Sequence, residues 1–168
     1  EPIRSFEPGQ HIGFRFTVPG DSKPTIRSYS LSSGVLEDNL YRVTIKKVPA
    51  PPETDFPPGK GSSYFHEELE IGSVIEVSAP NGKFYLDRED DRPAVLIAGG
   101  IGITPLLSML ETICKEGIQR TCYLFHAVRS HRDHAFAERL NELMQVRDHL
   151  HLHTYFSHPE DGHELPED

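Results

Sequence analysis

AVLIAGGIGITPLLSML, residues 94–110, is the stretch that decides the fold of the second half of this chain. Its first seven residues are apolar on both faces, as a central strand of a parallel sheet must be. The glycines then allow a sharp turn, and the apolar spacing that follows predicts a helix. A strand, a glycine turn and a helix in this order are typical of a dinucleotide-binding loop, although Pro105 stands where the usual fingerprint has its third glycine.

Helices and strands alternate after this loop. PLLSMLETICKEG predicts a helix with Pro105 at its first position and Gly117 at its end. TCYLFHAV reads as a second buried strand, HAFAERLNELMQVR as an amphipathic helix and LHLHTYF as a third strand. The β-α-β-α-β order is one mononucleotide-binding half of a doubly wound sheet. We therefore expect a Rossmann-like α/β domain over residues 91–168, with helices flanking a parallel sheet.

Residues 1–90 follow a different pattern. HIGFRFTV, TIRSYSLS, LYRVTIKKV and SVIEVSAP alternate or carry β-branched residues, and Gly and Pro separate them. This pattern is typical of an antiparallel barrel or sandwich. A short helix capped by Ser62 or Ser63 is expected near SSYFHEEL, and the proline-rich APPETDFPPGKG is expected to be a mobile insertion. The sequence thus predicts two domains, one β and one α/β.

The composition limits the partners that we expect. The 168 residues include 17 Lys and Arg against 26 Asp and Glu, a formal charge of −9, which argues against nucleic acid as a partner. No apolar run is long enough for a membrane span, and residues 1–10 lack the pattern of a signal peptide. Cys114 and Cys122 lie in apolar segments as free buried thiols would, so we expect a cytoplasmic protein.

The glycine loop itself carries part of a nucleotide site. Its glycines let the backbone approach a ligand, and Thr104 adds a hydroxyl at the start of the helix. The second strand has no acidic residue for a ribose 2′-hydroxyl, and Arg129 would suit a 2′-phosphate better. Taken alone, the loop fits a nucleotide site and a β-α turn without a ligand equally well.

Two segments of the β half carry similar signals. Arg27 and Tyr29 share one face of a predicted strand, and Ser28 and Ser30 share the other. A guanidinium beside an aromatic ring fits a phosphate next to a flat heterocycle, but on spacing alone a surface cation–π pair is the favoured interpretation. GKGSSYFH opens a helix whose backbone N–H groups fit an anion, or whose serines only cap it.

The histidines suggest a metal site only weakly. His131 and His134 are three residues apart, and His149, His151 and His153 alternate along one strand. Metal binding requires ligands that converge, which histidines at helix starts and strand edges rarely do. We expect no metal site.

Taken together and in order, the motifs resemble the ferredoxin–NADP reductase superfamily. The resemblance is closest to the reductase portion of flavohaemoglobins, whose pattern is P-G-Q, R-x-Y-S, S-x-Y-x-H, G-G-x-G-x-T-P, H-A-x-R and H-A-F. In this chain the same motifs read PGQ, RSYS, SSYFH, GGIGITP, HAVR and HAF, and P-N-G-x-F is present at 80–84. The resemblance covers almost the whole sequence.

The resemblance implies a function. An FAD-binding antiparallel β-barrel would occupy residues 1–90, and NADH or NADPH would bind to residues 91–168. Hydride would pass to the FAD, and electrons would then pass to a haem globin domain, a 2Fe–2S domain or a separate protein. The alternative is a flavin-binding module without turnover, with a regulatory or binding role. Against the family pattern, the first barrel strand and the C-terminal half of the α/β domain are expected to be missing, and this truncation would weaken nucleotide binding.

The resemblance also implies roles for matching residues. Arg27 would meet the flavin pyrophosphate, Lys46 would add positive charge, and Tyr29 and Ser30 would contact the flavin ring system. The expected catalytic residues are Ser30, Tyr29 and Thr104. The expected cofactor-binding residues are Arg27, Ser28, Tyr29, Ser30, His11, Lys46, Gly61, Ser62, Ser63, Gly99, Gly100, Ile101, Gly102, Ile103, Thr104, Pro105 and Arg129.

Overall fold

The computed structural model describes residues 3–35 and 39–159, and this part of the chain contains six strands and three α-helices. The strands are β1 His11–Phe16, β2 Thr25–Ser30, β3 Glu76–Val77, β4 Ala94–Gly99, β5 Cys122–Val128 and β6 Leu150–Phe156. The helices are α1 Lys60–Glu67, α2 Ile103–Glu116 and α3 Ala137–Gln145. The predicted β and α/β halves are both present.

The first half is an antiparallel sheet of order β2-β1-β3. Alternate residues of β1 are buried, namely Ile12, Phe14 and Phe16, as expected for a strand with one face on a core. Helix α1 packs against this face, because Tyr64 stacks on Phe16 with ring centroids 4.4 Å apart and Phe65 meets Phe14 edge-on at 5.0 Å. This aromatic contact brings the start of α1 close to β2.

The second half is a parallel sheet of order β4-β5-β6. Helices α2 and α3 cover one face, where Leu106 and Leu110 pack into a core with Leu124 and Leu140. The other face carries exposed Val95, Ile97 and Tyr155, among others. Within the described residues, β4 and β6 each pair with β5 alone, so they are the edge strands of this sheet. No helix in this part of the chain is long and apolar enough to cross a membrane.

Two predicted strands are wrong or shorter than expected. LYRVTIKKV forms no strand and makes only an isolated bridge between Val43 and Leu31. Its backbone groups bond elsewhere, since the carbonyl of Arg42 accepts the N–H of Ser32 and the carbonyl of Ile45 contacts Nε2 of His66. SVIEVSAP is reduced to the two residues of β3. By contrast, β6 coincides with LHLHTYF.

Helix starts also differ from the prediction. Helix α2 begins at Ile103 because a 3₁₀ turn, Gly100–Gly102, leads directly into it, so Pro105 is its third residue and not its first. A proline is tolerated there because N–H groups of the first turn have no partner within the helix. Helix α1 is capped by Gly59, and Ser62 does not cap it but donates to the carbonyl of Gly59.

The remaining predicted boundaries have simple causes in the backbone. Gly117 ends α2 in the left-handed conformation with φ 69°, as the sequence predicts. Helix α3 begins only at Ala137, because Phe136 adopts a left-handed φ of 63° that no continuous helix allows. Residues 50–59 contain neither helix nor strand.

Candidate cofactor site

A cavity of about 530 Å³ lies where β2, the start of α1 and the loop before α2 meet, and we call it the first cavity. Its volume is in the range of small-molecule sites. Eleven of the seventeen predicted cofactor-binding residues line it, which are Arg27, Ser28, Tyr29, Ser30, Lys46, Gly61, Ser62, Ile101, Gly102, Thr104 and Pro105. Thr44, Ile45, Val48, Gly59 and Lys60 complete the lining. The fold therefore joins the RSYS, GKGSS and GGIGITP motifs at one site.

Gly61 makes close packing possible at one end of this cavity. A Cβ added to Gly61 would lie 3.0 Å from Cγ of Arg27 and 3.3 Å from Oη of Tyr29, so a larger residue would displace both side chains. The exposed guanidinium of Arg27 thus lies beside the N-terminal turn of α1. A guanidinium and helix N–H groups on one side of a cavity favour an anion there.

Tyr29 forms a fixed aromatic wall of the first cavity. Its ring meets Phe14 at 5.8 Å and Phe65 at 5.2 Å between centroids. Burial raises the pKa of the Tyr29 phenol, and the nearby positive charge of Arg27 only partly opposes this shift. The hydroxyl is therefore protonated at neutral pH and can donate a hydrogen bond.

Thr104 is also placed at the cavity but is less available than the sequence implies. Its side chain is buried, and Oγ1 donates to the carbonyl of Ile101 at 3.1 Å. The hydroxyl therefore stabilises the turn before α2. Gly100, earlier in the same turn, has a φ of 49°, which favours glycine.

A second cavity, of about 670 Å³, lies on the other side of this turn. Gly100 and Arg129, both predicted to bind cofactor, line this second cavity together with Tyr155, Phe156 and Ser157 at the end of β6. Lys46 lines both cavities. The two cavities therefore adjoin each other at Lys46.

Lys46 is paired, which the sequence did not predict. Its Nζ lies 2.8 Å from Oδ1 of Asp133, whose Oδ2 accepts the hydroxyl of Ser130 at 3.1 Å. The hydrogen bond from Lys46, then that from Ser130, lowers the pKa of Asp133. Sequence analysis found no acidic residue at the end of β5. In the structure, however, the 3₁₀ turn His131–Asp133 places the carboxylate of Asp133 in the lining of the second cavity.

Four predicted cofactor-binding residues line neither cavity. The ring of His11 packs on Gly82, with Nδ1 only 2.9 Å from the position that a Cβ there would take. Ile103 is fully buried in the core, Gly99 ends β4, and the hydroxyl of Ser63 is buried without a partner among the described residues. The structure therefore gives these four no direct place at the ligand cavities.

Glu111, which sequence analysis also missed, connects the two halves of the molecule. It lies in α2 and is 1% exposed. Its carboxylate accepts three hydrogen bonds. They come from Nη2 of Arg42 at 2.7 Å, the N–H of Gly34 at 3.1 Å and Nε of Arg139 at 3.0 Å. Burial raises the pKa of Glu111, but the bonds from Arg139 and Arg42 outweigh it, and the net shift is downward. Ser108 adds a 2.6 Å bond to the carbonyl of Ser33.

The histidines of β6 pack on aromatic rings. His151 stacks on Tyr123 with centroids 4.8 Å apart, and His153 stacks on Phe125 at 4.9 Å. Among residues 3–35 and 39–159, no group of three or more His, Cys, Asp or Glu side chains is arranged to hold a metal ion.

Two family profiles match this chain in the order of its two halves. The oxidoreductase FAD-binding domain matches residues 3–85, and the oxidoreductase NAD-binding domain matches residues 96–166. Most residues that line the first cavity belong to the FAD-binding match, and most that line the second cavity belong to the NAD-binding match.

Known proteins are similar to this chain over almost its whole length. A flavohemoprotein of Halalkalibacterium halodurans is 36% identical over 95% of this chain, which spans 38% of that protein. The FAD/NAD-binding domain of a nitric oxide dioxygenase from Vibrio cholerae superposes with a TM-score of 0.84 at 28% identity, over 96% of this chain and 65% of that one. An Amycolatopsis cytochrome P450 reductase superposes with a TM-score of 0.76 at 29% identity, over 96% of this chain and 46% of that one. The chain therefore belongs to the oxidoreductases that carry an FAD-binding domain followed by an NAD-binding domain, and it has flavohaemoproteins among its homologues.

Proposed function

We propose that this protein is a reductase module that passes hydride from NADH or NADPH to FAD and then passes electrons to an acceptor. The observation that carries the proposal is the joining of three motifs around the first cavity, with the second cavity adjoining it at Lys46. The proposed domain limits are residues 1–90 for flavin and 91–168 for the pyridine nucleotide.

In this proposal the first cavity would hold the FAD. Arg27 and the N-terminal turn of α1 would hold the pyrophosphate, because they offer a guanidinium and backbone N–H groups on one side. The hydroxyl of Ser62 donates to the carbonyl of Gly59, so Ser62 would contribute through its backbone N–H. Tyr29 and Ser30 would face the ring system. The close approach of Gly61 to Arg27 and Tyr29 supports this fit, since it leaves the cavity wall free of a side chain.

The pyridine nucleotide would lie across the turn before α2. Ile101, Gly102 and Thr104 would meet its nicotinamide end, and the second cavity would take its adenosine end. Arg129 and Asp133 both line the second cavity and carry opposite charges. The balance between them sets the preference for NADH or NADPH, because only NADPH brings a 2′-phosphate.

The residues of this chain would hold the two cofactors in position relative to each other. When bound, FAD supplies the redox chemistry, accepting hydride and releasing electrons to the next carrier. Tyr29 keeps its proton, and the Thr104 hydroxyl is engaged with Ile101, so neither is arranged as a base. Tyr29, Ser30 and Thr104 would instead set the distance and orientation of the two rings.

For the acceptor we propose first a haem protein or domain, with a 2Fe–2S partner as the alternative. The Halalkalibacterium relative is a flavohemoprotein and the Amycolatopsis relative is a cytochrome P450 reductase. We also propose a cytoplasmic location, because Cys114 and Cys122 are both free.

Anaerobic titration of the full chain tests this proposal. The purified protein, loaded with FAD, should be yellow, and NADH or NADPH should bleach its visible flavin absorbance. A protein that takes up no FAD overturns the proposal. A protein that binds FAD but is reduced by neither nucleotide favours the alternative, a flavin-binding module without turnover.

A further inference from the structure

A buried imidazole holds the turn that carries the nucleotide loop. His126 lies in β5, its side chain is completely buried, and its Nε2 is 2.9 Å from the carbonyl oxygen of Gly100. Because a carbonyl oxygen can only accept, Nε2 must carry a proton, and in the neutral ring Nδ1 is then bare. Burial lowers the pKa of His126, partly offset by the bond to Gly100, which is consistent with a neutral ring.

The second nitrogen of this ring makes histidine unfavourable for the stability of the fold at this position. Nδ1 of His126 is buried and has no hydrogen-bond partner among the described residues. An unpartnered buried polar atom destabilises a fold, and an apolar side chain of similar size would avoid that cost. What His126 adds in return is the single bond from Nε2 to Gly100.

The glycine turn has open space on the side where side chains would project. No atom lies within 4 Å of the position that a Cβ would take at Gly99, Gly100 or Gly102, beyond their chain neighbours. Such a turn is free to rotate its peptide planes unless hydrogen bonds fix them. The carbonyl of Gly100 has two donors, the N–H of Ile103 within the turn and His126 from the neighbouring strand.

Fixing this carbonyl also fixes the next amide. The peptide between Gly100 and Ile101 is planar and trans, so its N–H points away from the oxygen that His126 holds. Ile101 lines the first cavity, whereas Gly100 lines the second. The orientation of this one peptide therefore affects the backbone between the two cavities.

The ring of His126 is itself held in place. His134, just before α3, meets it edge-on with centroids 5.2 Å apart, and Phe156 of β6 packs edge-on against His134 at 5.8 Å. The side chain that fixes the turn is thus braced by residues from two further segments.

We propose that His126 is a positioning residue for pyridine-nucleotide binding, which acts by donating from Nε2 to the carbonyl of Gly100. This role rests on the proposed function. His126 does not touch the nucleotide, and it sets the backbone conformation in which the glycine turn receives it.

Two polar variants of the full chain test this role. The amide nitrogen of Gln reaches about as far as Nε2 of histidine, whereas that of Asn falls short of it, so His126→Gln retains a donor to Gly100 and His126→Asn loses it. Calorimetric titration with NAD⁺ and NADP⁺ gives the affinity without turnover. Steady-state assays with NADH or NADPH and ferricyanide give KM and kcat.

His126→Asn should weaken nucleotide binding and raise KM by about tenfold, the value of one ordinary hydrogen bond. Its FAD content and kcat at saturating nucleotide should remain close to wild type, and His126→Gln should recover most of the affinity. Unchanged binding in His126→Asn, or equal losses in both variants, would overturn the role of His126. Wild-type protein that takes up FAD but binds neither nucleotide would instead overturn the proposed function, and this role with it.

Discussion

Nη2 of Arg42 lies 2.7 Å from Oε2 of Glu111, and this ion pair joins the segment beyond β2 to the middle of α2. The same carboxylate reaches Arg139 in α3. Helix α2 starts at the glycine turn, and Arg42 is followed by Thr44, Ile45 and Lys46 of the first cavity. The contacts of Glu111 therefore fix the two sides of the candidate site relative to each other.

Glu111→Gln should lower the free energy of unfolding by about 2 kcal/mol, because it removes a buried charge that two guanidiniums contact. The expected loss is below the usual value for a buried pair, since both arginines are partly exposed to water. Urea unfolding at neutral pH measures it. Glu142→Gln is a matched control, since Glu142 is exposed and pairs only weakly with Arg139. Equal effects of the two variants would contradict a central role for Glu111.

Gly61→Ala should weaken FAD binding by about tenfold without destabilising the fold. The added Cβ would lie 3.0 Å from Cγ of Arg27 and would push it from the cavity wall. Alanine is a better helix former than glycine, by up to about 1 kcal/mol in a helix interior, and this offsets the small displacement of Arg27 and Tyr29. Weaker FAD binding with equal or higher stability would thus identify crowding at the site. The FAD dissociation constant from fluorescence quenching tests this, and exposed Glu67→Ala in the same helix should leave it unchanged. Normal FAD affinity in Gly61→Ala would argue against the pyrophosphate position.

Stability should fall as the pH is lowered from about 7.5 to about 5.5. Burial lowers the pKa of both His126 and His134 in the folded protein, so the unfolded chain binds protons first as the pH passes the ordinary histidine value of about 6.5. The stability that the two neutral rings contribute is therefore complete above a pH of about 6.5 and is lost as the pH falls below it. Urea unfolding at several pH values measures the slope, which His126→Gln should reduce. A flat profile in the wild type would contradict neutral buried rings.

Local patterns explain what the sequence could predict. The RSYS strand, the strand of LHLHTYF and the Gly117 helix end depend on neighbours in the chain, and all three are present. The contacts of Glu111 and Asp133 depend on residues 69 and 87 positions away, which no local pattern records. The strand predicted at LYRVTIKKV is missing for another reason, because its backbone bonds to Ser32 and to the side chain of His66 in α1 in place of a ladder.

Asp133→Asn should shift nucleotide preference toward NADPH. The carboxylate shares the second cavity with Arg129, and its pKa is lowered, so it is charged at neutral pH and would repel a 2′-phosphate there. Removing that charge also releases Lys46 from its ion pair. We expect the ratio of KM for NADPH to KM for NADH to fall by about tenfold, or about 1.4 kcal/mol. Asp148→Asn removes the same charge from an exposed position that lines neither cavity and should leave the ratio unchanged. An unaltered ratio in Asp133→Asn would place the 2′-phosphate outside the second cavity.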